Sequence, residues 1–310
     1  MKIILCLISV LFLFSSNTNA FFGRVDFTAE DDFSEASVRR GVKATEQQCS
    51  AASGQTVWVK LDNDLQECIK YWGAGLSSNT SRAVVFMHGD RSPTPPSYLK
   101  LSGKALQEAA DTWSKRIDAP YIFIGRPGTH GSSGDHSKRR TLEEALILSG
   151  TLDVLSQRYG IKEFVLSGQS GGGHMTSSLM TLRTDVVCAV PASGPNSPKI
   201  RYLRMGRKMD TTNRESYEPA EHFANNAMSK HLRVFILGDP NDANVFWESQ
   251  IVIAEPLKKR NVEVEIVEGV GLGTDRHGLN NSARYLAGLC YHNRPTDEII
   301  HYLRLKNIKG

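Results

Sequence analysis

The segment that most constrains this chain is Phe164-Val165-Leu166-Ser167-Gly168-Gln169-Ser170-Gly171-Gly172-Gly173-His174-Met175. An apolar stretch with the character of a buried strand runs straight into Gly-x-Ser-x-Gly-Gly and then into a helical pattern. A sharp strand-to-helix turn forces its central residue into strained backbone angles, and its neighbours need to lack a Cβ to pack beneath it. Such a turn lifts the Ser170 hydroxyl above the sheet. The helix beginning at Gly171 aims its free N–H groups and positive dipole end at the same point, where an oxyanion would form. A packing turn or phosphate-binding loop is the competing reading, but no Lys follows at P-loop spacing.

The surrounding pattern places this turn in an α/β domain. Apolar runs at 56–60, 67–72, 83–87, 121–125, 162–167, 185–191, 232–238 and 262–268 read as strands. Helical spacing occupies 102–116, 142–159, 171–183 and 247–260, and a last helical stretch starts at 281–290. Thr141 followed by Glu144 predicts a capping box for the second helix. Apolar strands without period-two alternation, separated by helices, predict a mostly parallel sheet covered on both faces. The first two strands are expected to be antiparallel. About 40 residues rich in Asn, Ser, Arg and Met separate the sixth and seventh strands, too long for an ordinary connection, so a small cap insertion is expected around 193–231.

Three more strand ends carry chemistry. His88-Gly89-Asp90-Arg91 follows the strand at 83–87, where the second oxyanion N–H belongs; Asp90 is assigned that N–H, with Arg91 as the neighbouring candidate, and His88 is expected to be structural. Asp239 and Asp242 follow the strand at 232–238. Asp275 and His277 follow the strand at 262–268. An acid and then a His complete the order Ser, Asp, His. His277 would take the Ser170 proton and return it to the leaving group, while a carboxylate fixes its tautomer. Asp239, Asp242 and Asp275 compete for that last role. Asp275 sits too close in sequence to fold back on the ring, and Asp239 can cap the turn built by Pro240 and Asn241.

These residues resemble the α/β-hydrolases, and within them the prolyl oligopeptidase-like catalytic domains and secreted esterases. The resemblance runs from about Ala83 to Leu279. It rests on Gly168-x-Ser170-x-Gly172-Gly173, on Asp242-x-x-Val245, on His277-Gly278, and on Tyr217-Glu218-Pro219, similar to a Ser-Pro segment of that group. It implies an α/β-hydrolase fold, with Ser170 as nucleophile, Asp242 as acid, His277 as base, and Gly171 and Asp90 as the oxyanion hole. Two departures stand out. The oxyanion segment is His-Gly-Asp-Arg rather than His-Gly-Gly, and the chain has no long N-terminal stretch for a β-propeller. A glycine-rich segment at 125–136 has no assigned role. An ester is therefore the expected substrate. A serine peptidase or amidase is the alternative, and a non-catalytic binding protein on the same fold is the reading from another class.

The N-terminus bears on compartment. Met1-Lys2, an apolar run at 3–14 and small polar residues ending in Ala20 have the layout of a signal peptide, with cleavage expected after Ala20. The apolar run is shorter than the roughly 20 residues needed to span a bilayer, so no stable membrane anchor is expected. The division that follows is a signal peptide at 1–20, an N-terminal arm at 21–50 and the hydrolase domain at 51–310, in a secreted or periplasmic protein. Export permits disulfides. Cys49 and Cys68 are expected to staple neighbouring strands, whereas Cys188, in the run Val186-Val187-Cys188-Ala189-Val190, is expected to be a free core thiol. No cysteine has metal-ligand spacing, and neither metal nor organic cofactor is expected.

With 37 Lys and Arg against 33 Asp and Glu, the net charge of +4 gives no warrant for a nucleic-acid partner. A 40% hydrophobic content excludes collagen-like and disordered chains. The expected partner is a small-molecule ester or short peptide. Lys199, Arg201, Arg204, Arg207 and Lys208 cluster in the cap region; they could favour an anionic substrate or an acidic surface, and a solvated basic face is the preferred reading. Asn79-Thr80-Ser81 and Asn280-Asn281-Ser282 are glycosylation sequons in a eukaryotic host.

Overall fold

The computed structural model describes residues 23–28, 34–52, 55–62, 64–92 and 101–306. The expected signal peptide lies outside the described residues. The N-terminal part comprises β1 (Val25–Asp26), α1 (Glu35–Arg40), β2 (Val42–Lys43) and α2 (Glu46–Ala51). Then follow β3 (Thr56–Lys60), β4 (Gln66–Ala74), β5 (Arg82–Met87), α3 (Gly103–Ile117), β6 (Tyr121–Ile124) and α4 (Leu142–Tyr159). The centre is β7 (Glu163–Gln169), α5 (Gly171–Met180) and β8 (Val186–Ala192), with α6 (Pro198–Arg204) and α7 (Pro219–His222) in the insertion. The chain ends with β9 (Arg233–Gly238), α8 (Trp247–Ile251), α9 (Ala254–Lys258), β10 (Glu263–Glu268), α10 (Asn280–Tyr291) and α11 (Thr296–Lys306).

The main sheet has the order β10-β9-β8-β7-β5-β6-β4-β3. From β10 to β6 every neighbouring pair is parallel, while β4 runs antiparallel to β6 and to β3. Its strands are apolar on both faces because both are covered. Ala83, Val85 and Met87 of β5 face a core built with α4, α5 and α9. Val84 and Phe86 face the opposite core, shared with α3, α10 and α11. After β6 the chain crosses to the other side of β5 to form β7. That reversal opens a crevice above the C-terminal ends of β5 and β7, where open α/β sheets bind ligands.

Local details depart from the sequence patterns for identifiable reasons. The helix expected over 247–260 splits into α8 and α9. Pro256 lacks an N–H, and its ring clashes with the carbonyl four residues back, at Val252, where the break falls. The capping box of α4 is half formed. Thr141 Oγ1 accepts from the Glu144 N–H, but the Glu144 carboxylate turns inward to the Arg140 N–H and the Arg126 guanidinium. Cys49 and Cys68 are bonded, yet they join α2 to β4 rather than two strands.

The free-thiol expectation for Cys188 is overturned: it bonds to Cys290 and ties β8 to α10 across 102 residues. The apolar surroundings of Cys188 suit a buried disulfide as well as a buried thiol, so they do not discriminate. Among the described residues, no helix is long and apolar enough to cross a membrane.

Candidate active site

Ser170 occupies the turn between β7 and α5, with φ 59° and ψ −124°. This is a left-handed value that a residue with a Cβ adopts only when its surroundings impose it. The surroundings are tight. The Ser170 N–H donates to the Ala192 carbonyl at 2.8 Å, fixing the turn to β8. A Cβ on Gly172 would run into the Met87 and His88 carbonyls, so only glycine lets α5 pack against the end of β5. No side chain caps α5, leaving its first N–H groups directed at the space above Ser170.

His277 and Asp242 meet over this turn. His277 Nδ1 lies 2.7 Å from Asp242 Oδ2. An ionised carboxylate only accepts, so Nδ1 carries the proton and Nε2 of the neutral ring holds the lone pair. Nε2 is buried and, among the described residues, has no hydrogen-bond partner. Asp242 is held in turn by the N–H groups of Asn244 and Val245, both donating to Oδ1 at 2.8 and 2.9 Å. The three-residue spacing to Val245 thus has a geometric cause. Gln169, beside the serine, donates from Nε2 to the His277 carbonyl at 2.9 Å.

The Asp239 carboxylate is engaged elsewhere. Asp239 accepts from the Asn241 and Gly271 N–H groups and from Arg276; these contacts outweigh its desolvation and hold its carboxyl below the usual range. Asp275 offers its backbone carbonyl to the Ala243 N–H at 2.9 Å, tying the two loops together.

Ser170 and His277 line one cavity of about 330 Å³ together with Gly89, Asp90, Arg91, Gln169, Arg140 and Arg201. Of the two candidate oxyanion donors after β5, the Arg91 N–H is committed to His136 Nε2 at 3.0 Å. The Asp90 side chain is engaged by three arginines. It pairs with Arg126 Nη1 at 2.9 Å, with Arg139 Nε at 3.4 Å and with Arg140. Arg126, the largest fully buried side chain, is also gripped bidentately by Glu144 at 2.7 and 2.9 Å. Arg140 is gripped by Asp210 at 2.7 and 2.9 Å. Among these, Asp210 is held well below the usual carboxylate range, its desolvation outweighed by the Arg140 bonds.

The glycine-rich segment 125–136 also acquires a role. Its loop packs against residues 88–91 and is stitched to β4 by Ser132 and Ser133, which accept from the Lys70 and Cys68 N–H groups. Gly134 pairs with Val42 of β2. The loop brings His130 and His136 against His88, and desolvation, helped by neighbouring arginines, holds all three imidazoles well below their ordinary pKa. His88 Nδ1 donates to the Gly89 carbonyl at 2.6 Å, and its Nε2 accepts from the Arg126 N–H at 3.2 Å. It is a brace for the turn.

The basic cluster of the insertion divides. Lys199, Arg204, Arg207 and Lys208 are exposed, whereas Arg201 turns into the cavity. Sequence reasoning named Arg201 but did not separate it from its four exposed neighbours, because helical spacing does not reveal which residue of an irregular segment faces inward. It also missed the Arg126, Arg140, Glu144 and Asp210 cluster, whose members are scattered over three segments. Among the described residues, no group of three or more His, Cys, Asp or Glu side chains is placed to hold a metal. A larger hollow, of about 520 Å³, lies beside the insertion and contains neither Ser170 nor His277.

No protein-family profile and no curated protein sequence matches the chain. Solved structures do match. An esterase of Pyrococcus furiosus, Pf2001, is 14% identical with a TM-score of 0.52, over 86% of this chain and 96% of that one. Est1E of Butyrivibrio proteoclasticus, solved with ferulic acid bound, is 12% identical with a TM-score of 0.51, over 81% and 99%. Prolyl oligopeptidase B of Galerina marginata, solved with a 35-mer substrate, is 12% identical with a TM-score of 0.53, over 77% of this chain and 36% of that one. Sheet order and these likenesses together define an α/β-hydrolase fold. Within that fold more than four fifths of the chain is similar to nearly whole esterases, and about three quarters of it to about a third of the length of a prolyl oligopeptidase.

Proposed function

We propose that this chain is a secreted serine hydrolase that cleaves a small ester, with Ser170, His277 and Asp242 as its triad. One observation carries the reading. A serine held at positive φ on a strand-to-helix turn shares a cavity with a histidine whose Nδ1 is fixed on a buried carboxylate and whose Nε2 is unpartnered. Ser170 Oγ attacks the ester carbonyl carbon while its proton passes to His277 Nε2, and the carbonyl electron pair moves onto oxygen. Collapse of this intermediate breaks the bond to the alcohol, which leaves with the proton from His277. Water then attacks the acyl-enzyme by the same proton route, releasing the acid and restoring Ser170. The N–H groups of Gly171 and Asp90 receive the oxyanion. A cavity of about 330 Å³ suits a small acyl or alcohol group.

Export is supported by the leader pattern of residues 1–20 and by two disulfides. The intact mass of exported protein should place the mature N-terminus near Phe21.

The function is tested with a fluorophosphonate probe. Ser170 should be labelled, and labelling and ester hydrolysis should both vanish in a folded Ser170→Ala variant, with a rate loss on the order of 10⁶. A folded Ser170→Ala variant that retains most of the activity places the nucleophile elsewhere.

A further inference from the structure

The cavity holding Ser170 and His277 is lined by two arginines that make no ion pair among the described residues, although Asp210 and Asp242 act on Arg201 from further away. Below it the charges close on one another: Arg126, Arg139 and Arg140 face Asp90, Glu144 and Asp210 through ion pairs and hydrogen bonds. Outside that cluster stand the two cavity arginines, Arg91 and Arg201. Among the described residues neither has a carboxylate within ion-pair distance. Arg91 Nε donates to His130 Nε2 at 3.3 Å. Arg201 donates from Nε and Nη2 to the backbone carbonyl and Oδ1 of Asn244, both at 2.9 Å. These are neutral acceptors. They aim the guanidinium groups without discharging them.

Burial and the nearby Arg126 and Arg284 push Arg91 down to about 10, so it stays charged at neutral pH. A partly desolvated guanidinium without a counter-ion is costly and gains strongly from an incoming oxyanion, which its planar fork can bind in bidentate fashion. Arg201 is also fixed in register with the reacting groups. The Asn244 that holds it donates its own N–H to Asp242, the partner of His277.

We propose that the substrate cleaved at Ser170 carries a carboxylate near its scissile ester, and that Arg201 and Arg91 bind this anion. The inference rests on the hydrolase reading above and adds the substrate class to it. A cavity of about 330 Å³ suits a small molecule, such as a half-ester of a short dicarboxylic acid.

The test compares monomethyl glutarate with methyl pentanoate, esters of the same chain length that differ in one carboxylate, by pH-stat titration. The wild type should favour the anionic ester in kcat/KM by about tenfold or more, a preference that shrinks as salt is added. Arg201→Met and Arg91→Met should each lower the anionic-to-neutral ratio by about tenfold. Arg201→Lys should restore part of it. Arg204→Met, on the same helix but exposed and paired with Glu248, should leave the ratio unchanged. Urea denaturation establishes that each variant is folded, and Arg201→Gln stands in should the Met variant unfold.

Equal or better turnover of methyl pentanoate by the wild type, or a ratio unmoved in both arginine variants, overturns the proposal. A separate readout does not need turnover: calorimetry should detect glutarate binding to the wild type and its loss in Arg201→Met. Absence of fluorophosphonate labelling would sink the hydrolase reading, whereas labelling intact with no glutarate binding would sink only the anion site.

Discussion

Lowering the pH from 7.5 to 5.5 should destabilise this protein steeply, because His88, His130, His136 and His174 are sealed in uncharged form at 2% exposure or less. Desolvation is the largest cause for each, and it depresses His174 to about 3. Arg91, Arg126 and Arg139 add repulsion around the first three. In the unfolded chain each imidazole takes a proton near its ordinary value of about 6.5, while the folded protein takes none until well below it. The unfolded state therefore binds more protons throughout that window, and stability falls as pH falls. One pH unit below the unfolded value, each histidine contributes a loss of about 1 to 2 kcal/mol, or about 5 kcal/mol for the four.

Glu218 works in the opposite direction. Burial raises it to about 7, so it gains a proton in the folded state first and adds stability as pH falls from there towards its unfolded value. Glu67 is also raised by burial. Partial exposure of these carboxyls limits the offset, leaving a net loss of about 3 kcal/mol against a typical total of about 5 to 15 kcal/mol. Urea denaturation at pH 7.5, 6.5 and 5.5 measures this directly. Its slope against pH should report a net uptake of about two to three protons on unfolding near pH 5.5. A midpoint unchanged or higher at pH 5.5, or four imidazoles that titrate near 6.5 by NMR in the folded state, would refute the reasoning.

Other variants test separate joints of the structure. Asp242→Asn should keep the fold but leave His277 in the wrong tautomer, lowering kcat/KM on the order of 10⁴-fold. Asp239→Asn should cost far less in rate and act through stability, since Asp239 holds Arg276 and Gly271; a larger rate loss from Asp239→Asn would reverse the two roles. Replacing Cys188 and Cys290 together by Ala opens a 102-residue loop and should lower stability by about 4 to 5 kcal/mol in the chain-entropy model, read from the urea midpoint.

Much of the fold is legible in the sequence because parallel strands buried on both faces are nearly continuous apolar runs. Val84-Val85-Phe86-Met87 cannot be a surface element, and the glycines after Ser167 leave few conformations for the turn. The catalytic candidates are legible for a related reason: each lies just past a strand end, so local sequence locates it. What escapes is whatever depends on distant partners. Nothing near Cys188 points to Cys290, and the partners of Arg140 at Asp90 and Asp210 lie 50 and 70 positions away. The glycine-rich loop is conspicuous in the sequence but silent about its purpose, because its purpose is to pack against a segment forty residues earlier.

The departure at Asp90 shows how these two levels join. In the proposed hydrolase a carboxylate beside a developing oxyanion would raise the barrier, which makes Asp a poor choice where the resembling group carries glycine. The cost is removed by where the side chain goes. A Cβ built on Gly171 would strike the Asp90 carboxylate, so that carboxylate lies against the start of α5. There it pairs with Arg126 and Arg140. Gly171 is thus required by Asp90 as much as by the turn. Asp90 in turn requires two arginines, and these require Glu144 and Asp210. Three arginines and three carboxylates thus meet in that cluster. On the anion-site proposal, the charge offered to a substrate comes from Arg91 and Arg201, which line the cavity and make no ion pair with that cluster.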